Sequence, residues 1–185
     1  MSLLAIDAGS KSGWAVIKPP YRPFPTAIER GNGILPPAPD MSGAKNFSSF
    51  TSHDARFLAF SNWFVELIMQ HSPDKVVFEA PLRAQDSASS MAAQLGNGWR
   101  AIILLECERF DIPRWHVTGS AVKSMALDRK RPPKGQAKSW MMNAATKMGW
   151  TFKNDDECDA QWIATYAANI FADVTDEKIA AATKF

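Results

Sequence analysis

The chain has 185 residues and a formal net charge of +2, with 21 Lys and Arg against 19 Asp and Glu. That length supports a sizeable core in one domain spanning 1–185, while that charge is too small to imply a nucleic-acid partner by itself. Two cysteines, Cys107 and Cys158, suggest no disulfide framework and fit a reducing cytoplasm; the amino-terminal residues lack the grammar of a signal peptide; and the longest apolar run, Ala101 to Leu105, is far short of a membrane span.

Leu3 to Ile6 is a short apolar run closed by Asp7 and by the turn Gly9 to Gly13, which predicts a buried strand. Trp14 to Lys18 reads as a second strand. The proline-rich "PPYRPFPT" after it cannot be a central strand. Ala27 to Leu35 is read as the third strand, antiparallel to the second because the link is short, and "PPAPDMSGAKNFSS" as loop. From His53 to Gln70 the pattern is helical, with Phe57, Phe60, Phe64, Leu67 and Ile68 on one face. Asp74 to Pro81 reads as a buried strand and a break. Ser87 to Phe110 is a long helix whose Gly96 and Gly98 cost about 1 kcal/mol each against alanine, a cost that close packing of a neighbour would explain. Ile112 to Gly119 is a fifth strand, and a short helix follows with Ser120 as N-cap. A basic loop, "DRKRPPKGQAK", leads into a helix from Gln136 to Met148, and the last helix spans Asp155 to Ala172 with Trp162, Ile163, Tyr166, Ala167 and Ile170 on its inner side. Three early strands followed by strand–helix–strand crossovers predict an α/β protein, a mixed five-stranded sheet with helices on its faces.

The acids carry the functional signal. Asp7 ends the first strand and Glu79 ends "VVFE", the same apolar run, acid and turn. If those strands are parallel neighbours, both carboxylates emerge at one carboxyl edge, where open α/β sheets place their sites. The last helix opens with Asp155, Asp156 and Asp159; spacings of three and four put either of the first two on a face with Asp159. Each acid alone has a plain structural reading, as a turn cap, a strand-end ion pair or a partner of the helix dipole. Converging carboxylates, however, need cations. Hard oxygen donors without His or Cys favour Mg2+ or Mn2+, and two such ions about 4 Å apart are the apparatus of phosphodiester hydrolysis. His53, His71 and His116 lack metal-ligand spacing. Most of the seven tryptophans read as core, with Trp99 and Trp140 the alternatives for stacking on bases.

Four segments in this order, "LLAIDAGSKSGWAVI", "VVFEAPL", "GQAKSW" and "DDECDAQWIA", resemble the signature segments of RuvC-type Holliday junction resolvases of the ribonuclease H-like superfamily. The resemblance implies a ribonuclease H-like fold, a homodimer, and cutting of two strands of a four-way DNA junction with two Mg2+ ions, for which Mn2+ may substitute. It matches Asp7, Glu79, Asp156 and Asp159 to metal ligands, and Lys123 and Lys138 to basic residues near the scissile phosphate, Lys138 as a catalytic group. Where the family commonly carries an aromatic wedge three positions past the second acid, this chain has Leu82. Lys130, Arg131 and Lys134 of the basic loop, and Arg83, are the remaining candidates for DNA phosphates. The helix Ser87 to Phe110 is the candidate dimer interface. Two other readings stand beside this one: a related nuclease cutting flaps, forks or RNA–DNA hybrids, and a non-catalytic module that binds branched DNA. An actin-like or sugar-kinase ATPase, suggested by "DAGSKSG", would need two such lobes, and this chain has length for one.

Overall fold

The computed structural model describes residues 2–25, 38–80 and 90–172. Five strands form one sheet: β1 (Leu3–Asp7), β2 (Lys11–Ile17), β3 (Met41–Asn46), β4 (Lys75–Glu79) and β5 (Arg114–Val117). Their order is β3-β2-β1-β4-β5. The β1–β2 and β2–β3 pairs are antiparallel, and the β1–β4 and β4–β5 pairs are parallel. The helices among the described residues are α1 (His53–His71), α2 (Ser90–Arg109), α3 (Gly119–Ala126), α4 (Ala137–Lys147) and α5 (Asp155–Ala172). None of them is long and apolar enough to cross a membrane.

Alternation along the central strands sorts the core into two layers, because successive strand side chains leave on opposite faces. Leu3, Ala5, Ala15, Ile17 and Val77 meet α3, α4 and α5, with Trp150 and Trp162 packed ring against ring at 4.5 Å. Leu4, Ile6, Val16, Val76 and Phe78 meet α1 and α2 over an aromatic cluster of Phe47, Phe60, Trp63 and Trp99. The mixed sheet with helices on both faces is thus the architecture the sequence pattern predicts. Gly98 has the packing role expected of it: a Cβ there would run into the Phe57 ring, so α2 lies against α1 across that glycine. Cys107 and Cys158 are free and buried, and burial pushes each thiol up to about 12.

Several expectations need correction or fall outside the described residues. The third strand is Met41–Asn46, inside the stretch read as loop, whereas the segment read as strand, Ala27 to Leu35, lies outside the described residues. β3 is an edge strand, exposed along most of its length, so it carries no apolar alternation to announce it. Gly43 passes directly beneath the Trp14 indole of β2, 3.2 Å from Cζ2 for a Cβ placed there. The N-cap of α3 is Thr118 rather than Ser120: its hydroxyl accepts from the Ala121 N–H at 3.3 Å. Ile170 is exposed, while Glu157, Gln161 and Thr165 are buried; α5 is enclosed by β1 and β2 on one side and by α3 and α4 on the other, so a single inner stripe does not describe it. Trp99 is a core side chain and Trp140 packs partly buried on the α5 layer; Leu82 and Arg83 lie outside the described residues.

Candidate active site

Asp7 is the last residue of β1, directly opposite Gly13 of β2. The turn between them is clasped by the buried Ser12, whose hydroxyl donates to the Gly9 carbonyl at 2.8 Å and accepts from the Gly9 N–H at 3.0 Å. Ile6 pairs in parallel with Phe78, so Asp7 and Glu79 leave the carboxyl end of neighbouring strands. The third contribution comes from α5. A Cβ on Gly13 would collide with the Asp156 carbonyl and stand 3.1 Å from the Ala160 Cβ. Gly13 therefore lets the first turn of α5 lie against β2, which carries Asp156 and Asp159 toward Asp7.

The electrostatics show how closely these acids approach. Asp7 is raised well above the usual carboxylate range, first by loss of water and then by repulsion from Asp159, Glu79 and Asp156; Lys138 opposes the rise only in part. Asp159 is raised to about 6, chiefly by burial, with Lys138 and Lys123 pulling the other way and Glu79 adding repulsion. Burial also raises Glu79, against the attraction of Lys123, and raises Asp156, against Lys138 and Lys11. Asp155 behaves differently: its carboxylate pairs with the Lys138 ammonium, which lowers Asp155 and raises Lys138. In the placement seen, no three of the described His, Cys, Asp or Glu side chains close into a set that encloses a metal ion.

The basic residues divide into two groups. Lys123, on α3, and Lys138, on the first turn of α4, act on the acid cluster directly. Lys130 and Arg131 line a cavity of about 440 Å³ between α3 and the loop that follows, together with Lys123, Arg129, Ser120 and Ser124. Lys134 is exposed beyond that cavity. Sequence reasoning missed Lys11, Gly13 and Gly119. The charge of Lys11 was visible in "GSKSG", next to Asp7; the two glycines show their purpose only once α5 and α3 are in place.

A mixed sheet of this order, with a crossover helix on each side of β4 and acids at its carboxyl end, is a ribonuclease H-like fold. Among solved structures the chain is similar to Thermus thermophilus RuvC in complex with Holliday junction substrate, with a TM-score of 0.66 and 15% identity over 92% of this chain and 95% of that one. It is similar also to the Thermus thermophilus RuvC structure alone, with a TM-score of 0.64 and 16% identity over 92% and 95%. No protein-family model matches the chain, and no curated protein matches it significantly. At such identities the likeness is one of fold.

Proposed function

We propose that this chain is a structure-selective DNA endonuclease that resolves four-way junctions by paired, metal-dependent hydrolysis of phosphodiesters. The observation that carries the reading is one of placement: Asp7 and Glu79 end adjacent parallel strands, and Gly13 lets the first turn of α5, with Asp156 and Asp159, lie against β2 at the same end of the sheet. Buried carboxylates that raise one another's pKa are costly to a fold. The donor set is all carboxylate oxygen, which fits a hard divalent cation, Mg2+ or Mn2+. Two such ions would supply a nucleophile at neutral pH and stabilise the departing oxygen.

The chain's own groups divide the remaining work. Asp7 and Glu79 hold fixed positions on the sheet, Asp156 and Asp159 close the cluster from α5, and Lys138 offers a positive charge beside the reacting phosphate. Lys123, Lys130 and Arg131 take flanking phosphates along the basic cavity, with Lys134 further out; Arg83 is a further phosphate candidate and Leu82 the wedge residue. The likeness to RuvC bound to a Holliday junction substrate supports branched DNA as the partner. A four-way junction is two-fold symmetric, so a homodimer places two sites on it. We assign that contact to the outer face of α2, where Ala101, Leu105 and Glu108 form an exposed stripe and Leu105 leaves 59% of its surface open.

The test is a substrate panel: a four-way junction, a flap, a linear duplex and an RNA–DNA hybrid, each with Mg2+ or EDTA. Paired symmetric nicks confined to the junction and lost in EDTA are expected. Cutting of flaps or hybrids as readily would move the function to a broader nuclease. Tight junction binding without any cutting would make the chain a branched-DNA-binding module.

A further inference from the structure

Gly119 opens α3 with its backbone outside the left-handed region, so conformation does not call for glycine there. Space does. A Cβ on Gly119 would fall inside the envelope of the Glu79 Oε1 atom, 2.9 Å from Cδ and 3.3 Å from Oε2. Both carboxylate oxygens thus lie over the bare Cα. We infer that Gly119 is a positioning residue for Glu79: the missing side chain is the seat that lets the carboxylate rest on the first turn of α3.

Two features make the seat rigid. β4 and β5 pair in parallel with Glu79 opposite Val117, so the chain from β5 into α3 runs beside Glu79 by register. Thr118 caps α3 and accepts from the Ala121 N–H, which pins the helix start. Neither the strand end nor the capped helix can retreat cheaply, so a methyl group at position 119 moves the Glu79 side chain. Moving it changes the distance between Glu79 and Asp159, whose charges already act on each other. The first turn of a helix also favours a carboxylate, a benefit lost if Glu79 swings away.

The inference rests on Glu79 being a cation ligand, and the experiment separates the two claims. Thermal unfolding is measured in EDTA for the native protein, Gly119→Ala, Glu79→Ala and the double variant. The seat predicts that Gly119→Ala changes Tm less favourably when Glu79 is present than in the Glu79→Ala background, where alanine for glycine meets no carboxylate. Junction cleavage is then titrated with Mg2+. The half-maximal Mg2+ concentration for Gly119→Ala should rise on the order of 10-fold, while junction affinity in EDTA stays unchanged. An equal Tm change in both backgrounds, or an unaltered Mg2+ dependence, would overturn the inference. A native protein that cuts nothing would remove the functional reading, and the Tm comparison would still decide the seat.

Discussion

Asp7 and Glu79 end adjacent parallel strands, whereas Asp155, Asp156 and Asp159 stand on the first turns of α5. The strand acids have their backbones fixed by sheet register, and at Asp7 by a clasped turn as well. The helix acids are unlike one another: Asp159 is raised chiefly by burial, whereas Asp155 has its own lysine. Both groups lie at the same end of the sheet, the strand acids on the sheet itself and the helix acids on a helix laid against β2. The difference teaches that the cluster has a rigid half and an adjustable half, and that substitutions in the two halves should not cost the same.

The largest expected effect is on the rigid half. Asp7→Asn should cut junction cleavage by about 1,000-fold or more, the loss of several kcal/mol of cation-dependent stabilisation, with junction binding in EDTA retained. Asp156→Asn, on α5, should approach that loss. Asp155→Asn should change the rate by less than about tenfold, because its carboxylate is committed to Lys138 and an exposed ion pair contributes little. Parallel single-turnover assays of the three variants check the order; equal losses for Asp155→Asn and Asp7→Asn would erase the proposed division.

The basic cavity should respond in binding instead. Replacing Lys130 and Arg131 together by Ala should weaken junction binding and reduce the slope of log affinity against log salt by about 2, one phosphate contact each. Titrations at several salt concentrations read this directly. An unchanged slope would place these residues away from the DNA.

The smallest expected effect is on stability. Asp7, Glu79 and Asp159 all have carboxyl groups raised in the folded state. Between the ordinary carboxylate range, about 4, and about 6 for Asp159, the folded protein holds protons that the unfolded chain has lost. Their contribution therefore favours folding at the acid end and declines as pH rises through that window. In EDTA, Tm should fall between pH 4.5 and pH 7 in the native protein, and fall less in Asp159→Asn.

Much of this was legible in the sequence. The pattern of apolar run, acid and turn located Asp7 and Glu79, since a buried strand leaves few other places for a carboxylate. The long helices α1 and α5 were read within a residue or so, because their apolar spacing is strong. β3 was hidden: Met41, Ser42, Gly43, Ala44, Lys45 and Asn46 form a strand through pairing with β2, and their own composition gives no β signal. Between Asp155 and Asp156 helical spacing allows both, and the place in the motif selects Asp156; the ion pair of Asp155 to a lysine on another helix was not legible in the sequence. Gly13 and Gly119 act by what they lack, and an absent side chain has no meaning until its neighbour is placed.

The most direct test of the central claim, that the acids form one cation site, is thermal unfolding at pH 7.5 in EDTA and in Mg2+, for the native protein and Asp7→Asn. The account predicts that Mg2+ raises Tm of the native protein, that Asp7→Asn is more stable than native in EDTA because a repelled buried charge is gone, and that Mg2+ then adds little. Equal responses to Mg2+ in both proteins, or none in either, would contradict it.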